Sequence, residues 1–451
     1  MHRLDRAHTF FRCDVPTMAW IVLSVSLAHR LAVAGERDPT IRITHGSVDL
    51  TTPPDAPSDQ SWCYGMGMPV QLDAQTVGLL CNLRLNGTPY RNFEIGTDIV
   101  PFDRLDKIDA ARAMPISRMT HEKHPDTGKP CVIAKYPLLG GFVPRGAKRE
   151  DGAPHPYAGT GFGFCQICRF PANFKEPMFP EAELRFEREL HQFSYDGRRF
   201  KASAAKRMDH WMVGDQWEIK APGMAPAIAD GDDLLFAITC KNPDAASVAG
   251  VARFKYRADG GWHADSFTPI TDASTSWVEP SLQRDLDGKL LFSARSDDFS
   301  GVGDMALWRA TDADGTWTQL FYVPRSRTFT PVILSQTVDG SAYFATNTSL
   351  GTERALLGIV PIDTARISVQ ATTLARDGQS DFGPPPSRSR WKIDHGIGNV
   401  VRLADGRWHA ILVYRVMDQA ESQGQPRTPQ TGCYVEEVNT AGKMLVHPWR
   451  F

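Results

Sequence analysis

The chain has 451 residues, with 50 Lys and Arg against 52 Asp and Glu, so it lacks the basic excess that tracking a nucleic-acid backbone demands. Hydrophobic residues at 42% and charged residues at 23% exclude a disordered chain, a collagen and a multi-span membrane protein. The 37 Gly and 32 Pro imply many turns, and 11 Trp with 23 Phe supply a large core.

The chain opens with a basic stretch holding Arg3, Arg6 and Arg12. An apolar run from Met18 to Ala28 follows, and then Ala32-Val33-Ala34-Gly35. Basic region, apolar core and Ala-x-Ala site are the parts of a secretory signal, and the run is too short to span a bilayer. The expectation is residues 1–34 as signal and 35–451 as one extracytoplasmic domain with no membrane span, secreted or periplasmic after cleavage near Ala34-Gly35.

Beyond Gly35 seven cysteines remain, an odd number that leaves one thiol unpaired. Cys165-Gln-Ile-Cys168 has redox or zinc spacing, but no second Cys pair stands near it, and the expected role is small apolar strand residues. No dense carboxylate loop of the Ca²⁺ type is visible; no metal and no cofactor is expected. Asp103–Met114 is the best candidate for a short helix. Residues 103–160 read as a loop-rich insertion, because seven prolines fall between 115 and 156.

The strongest pattern is a repeat of apolar strand, Asp-Gly, apolar strand. It occurs at Asp230, Asp287, Asp339 and Asp405. Asp-Gly between strands marks a hairpin, since the turn needs positive φ. Second hairpins follow at Asp259-Gly260 and Asp314-Gly315, and Asp196-Gly197 and Asn86-Gly87 extend the series toward the start. Two hairpins per unit give four strands, and four-stranded units 52–66 residues apart are propeller blades. The expected fold is all-β: a five- or six-bladed propeller of antiparallel four-stranded blades.

Between about 225 and 417 the chain resembles the sialidase superfamily of β-propellers. Trp277-Val-Glu279-Pro-Ser through the Asp287-Gly turn to Ala294-Arg295 is similar to the family stretch in which a Glu and an Arg flank such a hairpin. Ala310-Thr-Asp-Ala-Asp314-Gly-Thr-Trp317 resembles a shortened Asp-box, and Tyr343 to Arg354 resembles a blade that delivers a further Arg. The resemblance implies that Glu279 assists a nucleophile and that Arg295 and Arg354 grip a carboxylate. It also makes Asp244 a candidate acid/base, at a sialidase-like offset from the Asp259 turn. The family's Arg-Ile-Pro motif has two candidate equivalents, Met224-Ala-Pro226 in one unit and Cys168-Arg169-Phe-Pro171 in an earlier one, and the second nominates Arg169.

The chain departs from the family at the nucleophile. Counting back from Asp405-Gly406 puts Ile397 where sialidases carry Tyr. Asp394-His395 lies two residues away, between strand residues and two glycines, and Tyr414 lies on the returning strand. His titrates near neutral pH and serves as acid or base, so His395, with Asp394 and Tyr414, is the alternative centre. Arg supplies the planar fork that a carboxylate needs. Three functions follow. The first is an exported glycoside hydrolase cleaving a terminal acidic sugar. The second is a polysaccharide lyase on the same scaffold, and the third is a propeller that binds an acidic glycan without cleaving it.

Overall fold

The computed structural model describes residues 41–56, 61–86, 93–124, 127–171, 187–207, 212–213, 216–242, 247–258, 260–296, 303–326, 331–347, 354–423, 425–440 and 448–451. Candidate Asp244, the Asp259 turn residue and the proposed signal lie outside them.

Six antiparallel sheets follow one another along the chain and form the six blades of a propeller. Blade one comprises Ser61–Gln71, Val77–Asn86, Phe93–Phe102 and Met114–Ser117. Blade two runs from Pro130–Val143 through Thr160–Pro171 and Glu187–Tyr195 to Phe200–Arg207, with Thr120–Lys123 added beside its first strand. Blade three is built on Asp233–Lys241, blade four on Trp277–Arg284 and Leu290–Ser296, and blade five on Ala342–Asn347. Blade six takes Trp391–Arg402, Trp408–Asp418 and Gly432–Thr440, and receives Ile41–Leu50 as its outermost strand. An early strand therefore completes the last blade, and its antiparallel pairing with Gly432–Thr440 ties the beginning and end of the ring together.

Most of the expected turns are present: Gly197, Gly231, Gly260, Gly288, Gly340 and Gly406 adopt positive φ. Gly315 does not, so that hairpin turns without the left-handed glycine expected of it, and Gly87 lies outside the described residues. The core is aromatic between blades. Phe162 of blade two stacks on Phe254 of blade three at 4.0 Å between ring centroids, and Trp262 Nε1 donates to Thr160 Oγ1 at 3.1 Å. Burying such rings contributes roughly 2–3 kcal/mol each. Cys63, Cys81, Cys131, Cys165, Cys240 and Cys433 are buried, and none of them forms a disulfide among the described residues.

Two local expectations change. Asp103–Met114 forms two 3₁₀ turns, Leu105–Lys107 and Ala110–Arg112, in place of a helix. Asp109 between them is extended at φ −133°, and its carboxylate accepts from Ala111 N, which restarts the chain. The proline-rich stretch is not all loop: it holds the 14-residue first strand of blade two. Pro137 is tolerated there because it stands at a register shift between Pro137 and Gly140.

Candidate functional site

The first strand of a blade lines the channel, and four of these strands carry the same defect. Two residues on the first strand oppose one on the second at Gly65-Met66, Leu138-Leu139, Glu279-Pro280 and His395-Gly396. Such bulges bend a strand and re-aim a side chain. In blades four and six the first bulge residue is not glycine yet has positive φ, 50° at Glu279 and 57° at His395. That conformation costs an L-residue about 1–2 kcal/mol. The other two such residues among those described, Ile367 and Arg388, lie in turns.

Register makes the two blades equivalent. Val278 pairs with Arg295 and Ser281 with Ser293, while Asp394 pairs with Arg415 and Ile397 with Val413. Glu279 thus corresponds to His395, and Arg295 to Arg415. Each pair is symmetric about its turn: Glu279 and Arg295 lie eight residues from Asp287, His395 and Arg415 ten from Asp405. The first strand of blade six has 12 residues against eight in blade four. A count from the turn therefore lands on Ile397, which is buried in the core; the bulge puts His395 in the channel-facing place.

The chemistry of the two bulges differs. Arg295 Nε donates to Glu279 Oε2 at 2.6 Å. In blade six the fully buried Asp394 carboxylate receives Arg354 Nη1 at 2.5 Å on Oδ2, and Arg415 Nε and Nη2 at 2.8 and 2.7 Å on Oδ1. His395 Nδ1 meets Oδ1 at 2.8 Å and Lys392 Nζ lies 3.8 Å from Oδ2. Burial opposes ionisation of Asp394, but His395, Lys392 and Arg354 override it and hold its pKa far below the usual range. Burial pushes the Lys392 ammonium down, against the pull of Asp394.

Backbone contacts hold this cluster in place. Ile393 N donates to Arg354 O at 2.7 Å, and Asn347 Nδ2 of blade five donates to Ile393 O at 2.7 Å. Blade one adds the Arg84–Glu94 pair at 3.2 Å, close enough to Lys392 to act on its charge. Glu279 and His395 keep 26% and 20% of their side-chain surface exposed, so a ligand can reach both.

The structure thus brings Asp394, His395 and Arg354 together and pairs Glu279 with Arg295. It places Tyr414 elsewhere, which corrects the expectation of a channel role. The Tyr414 residue opposes the His395-Gly396 bulge, and its side chain turns into the blade core. Its hydroxyl donates to Glu436 Oε1 at 2.6 Å and accepts from Arg376 Nε at 2.6 Å. Arg169 is buried in blade two, opposite Ile133. Sequence reasoning missed Arg415 and Lys392; the symmetry of His395 and Arg415 about Asp405 was the signal for the first.

The channel's other end holds a cavity of about 990 Å³, lined by Gln71, Gln283, Gln336 and Asn399 from four first strands and roofed in part by Trp449. None of the candidate residues lines it. Asn399 is five residues along its strand from Asp394, which at strand rise is roughly 17 Å. The cavity lining also carries ionisable groups: Arg284 pairs with Asp230 at 2.9 Å and Arg149 with Asp232, the two acids keeping 33% and 36% of their side-chain surface exposed, and His155 stands beside them. As to metal ligands, Cys165, Glu189 and His191 form a buried donor cluster in blade two.

No protein-family model and no curated protein sequence matches the chain. Solved structures do. A protein of unknown function from Dyadobacter fermentans superposes with a TM-score of 0.54 at 11% identity, covering 90% of this chain and 100% of that one. A Trypanosoma rangeli sialidase in complex with the inhibitor DANA gives a TM-score of 0.52 at 11% identity, over 88% of this chain and 59% of that one. The NanB sialidase of Streptococcus pneumoniae gives 0.49 at 11% identity, over 89% and 70%. At such identity the likeness establishes a fold, and the fold is the six-bladed β-propeller that sialidases share. No described helix is long and apolar enough to cross a membrane.

Proposed function

We propose that the protein is a glycan-cleaving enzyme acting on an acidic sugar at the bulge end of its channel. The carrying observation is that two ionisable groups, Glu279 and His395, occupy equivalent left-handed bulge positions of blades four and six. Cleavage of a glycosidic bond takes two such groups flanking it. Asp394 orients His395 through Nδ1 and leaves Nε2 to exchange a proton with the leaving oxygen. Glu279 activates water or an attacking group. Arg354, Arg415 and Lys392 around one carboxylate make a cationic wall suited to an acidic substrate. The reaction needs no cofactor in this reading, and we propose an extracytoplasmic location, where a glycan substrate would be met.

A lyase is the second reading, favoured by the Asp394–His395 contact and by the burial of Ile397 at the position where a Tyr nucleophile was expected. His395 then removes the proton beside a uronate carboxylate while the arginines neutralise the acid. Turnover of a fluorogenic sialoside, lost in Glu279→Gln and His395→Ala, supports hydrolysis of a terminal acidic sugar. Ultraviolet-absorbing product from a uronate polymer supports the lyase. Binding of these glycans without turnover contradicts both and leaves a lectin-like propeller.

A further inference from the structure

We propose that Cys165, Glu189 and His191 form a zinc(II) site in blade two, separate from the bulge site. Thr160–Pro171 and Glu187–Tyr195 run antiparallel, with Cys165 opposite Glu189 and Gly163 opposite His191. Side chains alternate along a strand, so the three residues share one face. Their donor atoms all lie within 4.8 Å of one another, and the residues are 1%, 7% and 6% exposed. A thiolate, an imidazole and a carboxylate are the donor types zinc prefers, and three of them leave a fourth position for water.

The surroundings fit this role. Lys135 Nζ holds Glu189 Oε1 at 3.1 Å, which leaves Oε2 for a one-oxygen ligand and fixes the carboxylate from outside. His191 Nε2 meets that Oε2 at 2.8 Å, while Nδ1 is buried with no hydrogen-bond partner among the described residues. The Glu189 contact alone leaves the ring half satisfied. Binding would release the Cys165 thiol proton to solvent as the thiolate takes the ion. The Phe193 ring fills the room beside Gly163 and walls the face. The Cys165-x-x-Cys168 spacing pointed to the right cysteine, but its partners stand on the neighbouring strand.

The test is metal analysis of the full chain, made without a histidine tag in zinc-containing medium and purified under reducing conditions. The expected content is about one zinc per chain, lost in Cys165→Ser and in His191→Gln. Far less than one zinc in the parent chain, or parent-level zinc in Cys165→Ser, overturns the proposal. Cobalt(II) added to the stripped parent chain gives a reading that needs no variant. A thiolate-to-cobalt band with strong tetrahedral visible absorption supports the site; a weak octahedral spectrum without that band overturns it.

Discussion

Blades four and six use one backbone device for two kinds of group. Each bends its first strand at a two-residue bulge, each holds a non-glycine residue at positive φ there, and each sets an Arg on the returning strand beside it. Blade four presents a carboxylate held by that Arg. Blade six presents an imidazole, and its Arg binds the buried Asp394 behind it. The repeat supplies the position, and one extra buried acid changes the chemistry. Strain kept at both bulges is the mark of positions held by their surroundings rather than by local preference.

Substitutions can break this comparison at four levels. The largest effect belongs to His395→Ala, which removes the acid/base group; turnover should fall about 10²–10⁴-fold, measured on whichever acidic glycan the parent cleaves. Retained turnover would take His395 out of the reaction. Next comes Asp394→Asn, which strands Arg354, Arg415 and Lys392 around a neutral amide. Removing one partner of a buried ion cluster costs about 3–5 kcal/mol, to be read from denaturant unfolding. Stability equal to the parent would show that the cluster contributes nothing.

The same pair of proteins tests the sign of the pH effect. The Asp394 pKa is depressed in the folded state, so its contribution is complete above the unfolded carboxylate value near 4 and fades as pH falls. The stability gap between parent and Asp394→Asn should be constant above roughly pH 5 and narrow below about 4. A gap that widens in acid would contradict the assignment. The smallest effect sharpens the backbone argument. At φ 57° His395→Gly should be more stable than His395→Ala by about 1 kcal/mol. The reverse order would mean the bulge is not held left-handed.

Much of this was legible in the sequence. Asp-Gly turns at 230, 287, 339 and 405 located the first hairpins of four blades, since only such turns need glycine at fixed intervals. Blade number stayed open between five and six because the first hairpins of blades one and two lack the signal: they turn through residues 72–76 and the long 144–159 connection. Arg295 and Arg354 were found from resemblance, and both proved to be tied to the acids now placed in the site, Glu279 and Asp394. Bulges defeat counting. Two more residues between bulge and turn in blade six put His395, and not Ile397, at the bulge position equivalent to Glu279, and the residue opposing the bulge, Tyr414, went into the core. Lys392 carries no local pattern; its role arises from blades one, five and six meeting around Asp394.

The most direct measurement is the turnover of one acidic glycan substrate by the parent chain, Glu279→Gln and His395→Ala side by side, with folding verified by unfolding curves. The account predicts that both variants fold and that each loses nearly all activity, because the proposed reaction uses both groups. Full activity in both folded variants would contradict it, and would move the chemistry away from this end of the channel.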